Sequence, residues 1–175
     1  MSGAEEAATA LISPEGLLRF RGRVLRCALG RGGIRADKRE GDGATPAGLW
    51  RLERILWRAD RGPRPQAPLP AEPIAPADGW CDDPLHPDYN RRVVLPHPAH
   101  CERLWRDDHV YDVIVLTDWN SRPIRPGRGS AIFLHVARPG LPPTEGCIAL
   151  PEGDLRALLG EGLRALRVLA PGERG

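Results

Sequence analysis

Cys147 and His135 are the two side chains of this 175-residue chain whose types and spacing can do chemistry together. A thiol attacks a carbonyl only as its thiolate, and an imidazole beside it can lower the thiol pKa and take its proton. His135 closes the apolar run Ala131-Ile132-Phe133-Leu134, and Cys147 follows Gly146, which permits a tight turn. Between them lie Pro139, Gly140, Pro142 and Pro143, enough turn-formers to fold the chain back on itself. Backbone N–H groups of Gly146 and Cys147 would then face a developing oxyanion. Activated this way, Cys147 should alkylate faster than Cys27, Cys81 and Cys101, and His135 should lie within hydrogen-bonding reach of it. A purely structural Cys–His pair is the competing reading of the same spacing.

Strands are what must position such a pair. Tyr111–Leu116 carries Val113, Ile114 and Val115, and Ala131–Val136 is a second run of the same kind, delivering His135. Leu17–Phe20 and Val24–Leu29 flank Arg21-Gly22 and read as a hairpin. Gly30 to Gly43 reads as a loop and Ala44–Gly48 as a turn, after which Leu49–Ile55 alternates polar and apolar residues like a strand. Pro98–Trp105 is expected to be a short helix. Another helix should follow Pro151 on a stripe of Leu155, Leu158 and Leu159, and Leu166–Leu169 should be a closing strand. The proline-rich residues 59–90 show no periodicity and read as a long irregular excursion, a kind of segment that in compact domains is functional or disordered. The expected fold is mostly β with few short helices, residues 1–15 forming a flexible leader and 16–172 one domain.

A chain of this length can bury a core large enough to stand without disulfides or metals. Of its 25 basic residues 24 are arginine and Lys38 is the one lysine, yet 23 acidic residues are interspersed and the net charge is only +2. That mixing argues against nucleic acid as a partner. No apolar run is long enough to span a bilayer. The acidic start MSGAEEAATALISPEG lacks a basic segment leading into an apolar one, so no secretory signal is visible; a cytoplasmic location is expected, or a periplasmic one if the gene start lies upstream. Cys81, His86, His97, His100, Cys101 and His109 form a loose group without a recognised zinc spacing, and no metal is expected there.

With its surroundings, the Cys147 segment resembles the L,D-transpeptidase catalytic domain family. Its signature is a His, a variable gap, then Ser or Thr, any residue, Gly, Cys and an aliphatic residue; here these are His135, Thr144, Gly146, Cys147 and Ile148. Lys38–Gly48, with Thr45-Pro46-Ala47-Gly48, resembles the family's early turn into a strand, and Gly129–His135 resembles the strand that delivers the His. The resemblance spans residues 17–170 and implies a β-sandwich with a Cys–His site in a cleft, no cofactor, and acyl transfer on peptidoglycan stem peptides. It makes Cys147 the nucleophile, His135 the base and later the acid, and the Gly146 and Cys147 amides the oxyanion donors.

This sequence departs from the pattern after both site residues. Many members have Gly after the His and Arg two residues after the Cys, where this chain has Val136 and Ala149. Arg138 is then a nearby replacement for holding a substrate carboxylate, beside Thr144. Within the excursion, Trp80 is a candidate apolar wall of the cleft and Asp82 a candidate partner for a substrate ammonium. The expected activity is that of an L,D-carboxypeptidase removing terminal D-alanine from tetrapeptides, with residues 59–90 covering any acceptor groove. Cross-linking transpeptidase activity and a non-catalytic module that binds peptidoglycan fragments remain the alternatives.

Overall fold

Alternating apolar and polar residues make Gly48–Trp57 the longest strand in the computed structural model of the protein, which describes residues 3–173. Leu52 and Ile55 are both buried although two polar residues separate them; the register shifts there, and the bulge absorbs the extra residue. In chain order the strands are β1 (Thr9–Ile12), β2 (Leu17–Phe20), β3 (Arg23–Arg26), β4 (Ile34–Arg35), β5 (Thr45–Pro46), β6 (Gly48–Trp57) and β7 (Ala71–Pro73). They continue with β8 (Asp78–Cys81), β9 (Arg92–Val94), β10 (Cys101–Arg103), β11 (Val113–Thr117), β12 (Phe133–Val136), β13 (Ile148–Leu150) and β14 (Ala165–Val168). Helices are few: α1 (Gly3–Glu6), α2 (Glu152–Gly160) and a single 3-10 turn at His109–Tyr111. The mostly β expectation holds.

Nine strands form one mixed sheet in the order β13-β12-β11-β6-β14-β1-β2-β3, with β7 added beside β6. Two apolar clusters lie on its faces. One joins Leu134, Val136, Val113, Val115 and Ile55 to Leu155, Leu158 and Leu159 of α2. The other joins Phe133, Ile114 and Leu56 to Tyr111, Leu104 and Cys147. Strands β11 and β12 are therefore covered on both sides, which is why they read as unbroken apolar runs. The second face is roofed by a three-stranded sheet, β10-β8-β9.

Several expectations need correction. Thr9–Ile12, read as part of a leader, is a strand pairing in parallel with β14 and antiparallel with β2, with Ala10 and Ile12 fully buried; residues 1–2 of that leader lie outside the described residues. The expected closing strand is present as β14, and it lies between β6 and β1 inside the sheet. Pro98–Trp105 is no helix: Cys101–Arg103 pairs with Gly79–Cys81, and that non-local partner overrides the local pattern. Residues 59–90 are mostly irregular as expected, but two short strands, β7 and β8, tie the excursion into the two sheets.

Candidate active site

Register decides which side chains meet. In β12 the side chains alternate, so Phe133 and His135 face the second cluster while Leu134 and Val136 face the first. Parallel pairing with β13 aligns His135 with Ala149, which leaves Cys147, two residues earlier, diagonal to His135. Both line one cavity of about 470 Å3. Among the described residues no hydrogen bond joins them.

Each side chain is instead satisfied by backbone. Cys147 Sγ–H donates to the Ala131 carbonyl at 3.1 Å, and the Phe133 N–H donates to Sγ at 3.3 Å. His135 Nδ1 lies 2.9 Å from the Val136 carbonyl; a carbonyl can only accept, so Nδ1 carries the proton and Nε2 the lone pair. Burial pushes the Cys147 thiol up to about 12. Burial also pulls His135 down to about 4, with Arg106 and Arg138 adding to the fall and the Val136 hydrogen bond opposing it. The resting pair is thus a neutral thiol and a neutral imidazole, and the thiolate expected from the sequence is not the ground state.

The loop carrying Cys147 is held by its neighbours. Gly146 has φ +134°, and a Cβ there would come within 2.8 Å of the Ala44 carbonyl oxygen, so only glycine fits. Thr144 Oγ1 donates to the Cys147 carbonyl at 2.6 Å and accepts the Gly146 N–H at 3.2 Å. The Gly146 amide is therefore engaged by Thr144 and not free for an oxyanion. Behind the loop, Lys38 is buried, its ammonium bonded to Asp42 and to the Arg39 carbonyl, and Asp42 caps the Ala44 N–H at 2.9 Å. The Lys38–Gly48 segment thus buttresses the Cys147 turn.

Around the cavity stand groups the sequence reading missed. The Tyr111 ring meets His135 edge-on at 5.4 Å, and its hydroxyl donates to Glu102 at 2.7 Å. Burial pushes Glu102 up from the usual carboxylate range. Arg106 and Arg138 both bond to Asp108 Oδ2, at 2.8 and 3.0 Å, and both line the cavity. No motif marks Tyr111, Glu102 or Arg106; pairing of β10 with β8 and the 3-10 turn bring them here.

Of the substrate-contact candidates, Thr144, Arg138 and Asp82 line the cavity, and Asp82 is bonded to His100 Nδ1 at 2.6 Å. Trp80 does not line it. Its ring meets Phe133 edge-on at 4.9 Å, its N–H donates to Asn90 at 2.9 Å, and it borders a separate cavity of about 300 Å3. Asn90 also accepts the Ala131 N–H at 3.1 Å, so this part of the former excursion braces the backbone that Cys147 bonds. Residues 62–78 contribute nothing to the catalytic cavity; Ala67, Leu69 and Ala71 pack on the first cluster instead. The cysteines and histidines expected to be scattered are partly gathered: ligand atoms of Cys81, His97 and Cys101 all lie within 4.8 Å of one another.

A family model described as the L,D-transpeptidase catalytic domain matches residues 9–164. Among solved structures, one titled as LD transpeptidase LdtMt1 in complex with imipenem is similar at 12% identity and a TM-score of 0.41. That alignment covers 93% of this chain and 59% of the other, so the present chain spans less than two thirds of its length. A search among curated proteins returned no match. No helix among the described residues is long and apolar enough to cross a membrane.

Proposed function

The chain belongs to the L,D-transpeptidase catalytic domain family, and from that premise we propose that it works as an L,D-carboxypeptidase. The reaction would remove the terminal D-alanine from peptidoglycan tetrapeptides, with Cys147 as nucleophile and His135 as acid–base group. The observation that carries this reading is the single cavity that holds Cys147, His135, Arg106 and Arg138 together. A tetrapeptide ends in a carboxylate, and two guanidinium groups beside the reacting pair are the natural partners for it.

Their charge also supplies a trigger. Arg106 and Arg138 help to hold His135 low, so a substrate carboxylate that offsets them would raise the imidazole's basicity as it binds. Nε2 would then take the thiol proton, and Sγ would attack the carbonyl between the third residue and D-alanine. The Cys147 amide is the proposed oxyanion donor. Collapse would break the peptide bond, His135 returning the proton to the D-alanine amine, and water would hydrolyse the thioester.

Hydrolysis is favoured over cross-linking because the second cavity, beside Trp80 and Asn90, is lined by neither Cys147 nor His135. An acceptor amine needs an oriented path to the thioester that water does not. The cytoplasmic location expected from the sequence fits soluble muropeptides as substrate, and cell fractionation would check it. Incubating the purified protein with tetrapeptide muropeptide, with and without excess acceptor peptide, tests the function by mass spectrometry. Tripeptide and free D-alanine are the expected products. Dimeric muropeptide as the major product would restore the cross-linking reading, and binding without turnover would leave a fragment-binding module.

A further inference from the structure

Apolar packing on the cavity wall rests on a few side chains: Tyr89 and Leu104 are buried, and Trp80 packs on the second cluster. Among the described residues, neither apolar cluster takes a member from residues 82–103, and Leu85 and Val94 are turned outward, 93% and 71% exposed. Beside Tyr89, what occupies the interior of this segment is polar and soft. Cys81 is fully buried and lies directly across the β8–β10 pair from Cys101. Cys101 Sγ is 3.4 Å from His97 Nδ1.

His97 is oriented from behind. Its Nε2 lies 3.2 Å from an Asp88 carboxylate oxygen, which can only accept, so the proton sits on Nε2. Nδ1 therefore presents its lone pair to the thiols, and the Ala99 N–H donates to that same atom at 3.2 Å. A carboxylate behind a histidine whose other nitrogen faces two thiols is the arrangement that fixes metal-ligating imidazoles. Tetrahedral zinc, with Zn–S of about 2.3 Å and Zn–N of about 2.0–2.1 Å, needs S···N separations of about 3.6 Å. The Cys101 Sγ–His97 Nδ1 separation of 3.4 Å is of that size, and the Cys81 sulfur lies within 4.8 Å of both atoms. His86 stands beside this group and not within it: its ring packs edge-on against His97 with centroids 4.8 Å apart, and its ligand atom groups with those of Asp88 and His97.

We propose that Cys81, His86, His97 and Cys101 bind a thiophilic divalent cation of the zinc type, with Asp88 as the positioning residue behind His97. His86 ligates through Nε2, since its Nδ1 accepts the Asp88 N–H at 3.1 Å, and its ring closes on the ion as it binds. Two S–H bonds break, two metal–sulfur bonds form and two protons leave to solvent, so two thiolates balance the dication. The Ala99 N–H contact to Nδ1 is given up to the metal. Asp82, beside Cys81, and His100 and Glu102, on either side of Cys101, all line the catalytic cavity. The ion would thus cross-link β8 and β10 behind the substrate-facing wall.

Cobalt(II) is the probe. Reduced, chelator-treated full-length protein should bind one equivalent with thiolate-to-cobalt charge-transfer absorption and the visible bands of a tetrahedral ion, both bleached by added zinc. Cys101→Ser should lose about half of the charge-transfer intensity, since one of the two proposed thiolates is removed. His86→Gln and Asp88→Asn, which spare the buried Cys81, should weaken binding by about 10–100-fold. Cys27→Ala and Cys147→Ala should leave the titration unchanged. The site is overturned if the reduced protein gives no thiolate–cobalt band, or if Cys147→Ala removes the band while Cys101→Ser keeps it. A Cys81–Cys101 disulfide in the purified chain, with no metal affinity once it is reduced, would overturn it as well.

Discussion

The floor of the cavity is β12 and β13, where Leu134 and Ile148 are buried in one cluster and Phe133 and Cys147 in the other; the wall is the β10-β8-β9 sheet, tied by Arg92–Asp78, His100–Asp82 and the Cys81–Cys101 neighbourhood. Position on the floor is set by strand register inside a packed core, which resists displacement. Position on the wall draws on backbone pairing and the buried Tyr89 and Leu104, with ion pairs and side-chain hydrogen bonds supplying more of the ties than on the floor. The reacting pair sits on the floor, and the charged groups proposed to meet substrate belong mostly to the wall and its flanking turns. On the proposed function, such a floor would keep the chemistry fixed while the wall sets which peptide enters.

The sharpest way to test that division is on the floor. Replacing His135 with Asn should lower kcat by about 10²–10⁴, the usual worth of a positioned acid–base group, with the fold retained. Leu134→Ala should cost about 2–5 kcal/mol in urea unfolding, because it opens a cavity between the sheet and α2. Equal losses from wall substitutions would erase the distinction.

Titration offers a second handle on the floor. The folded-state pKa of His135 is depressed from 6.5 to about 4, so between these values the unfolded chain holds the extra proton. Its contribution to stability is whole above pH 6.5 and drains as pH falls toward 4; His135→Asn should flatten that part of the stability–pH curve. The Cys147 thiol is raised from 9.0 to about 12, so its contribution is whole below pH 9 and is lost as pH rises through 12. Iodoacetamide should accordingly label Cys147 at neutral pH no faster than Cys27, which burial also holds at about 12. This reverses the order expected from the sequence.

Beyond the packed floor, on its flanking turn and on the wall, the expected effects are smaller. Arg138 is half-exposed and already shared with Asp108. Arg138→Gln should raise KM by about 10-fold, the scale of a single charge-assisted contact, and lower kcat by less than His135→Asn does, since Arg106 keeps part of the charge that a bound carboxylate offsets. Smallest of all, Leu85→Ser should shift unfolding free energy by no more than about 0.5 kcal/mol, since it removes no buried contact.

The same division explains what could be read from the sequence. Val113-Ile114-Val115, the alternation of β6 and the Leu155, Leu158, Leu159 stripe are local patterns written by the main core, and they were legible. Motif spacing and chain order singled out Cys147, His135 and Thr144, and the fold brings all three to one cavity. The wall was not legible: β8 and β10 pair across about twenty residues of proline-rich and polar chain that has no period to read. Tyr111, Glu102 and Arg106 enter the site only through that pairing and the adjoining turn. Gly146 was found but its amide was misassigned, since the Thr144 hydroxyl that takes it becomes visible only in three dimensions.

The central claim is that the acyl group passes through Cys147. Intact-mass measurement of the protein quenched in acid during turnover of a tetrapeptide, followed by peptide mapping, tests it most directly. The account predicts a mass increase equal to the substrate lacking D-alanine, carried on the peptide that contains Cys147, hydroxylamine-labile, and absent in Cys147→Ala. D-alanine release that persists in Cys147→Ala, or an adduct on any other residue, would contradict it.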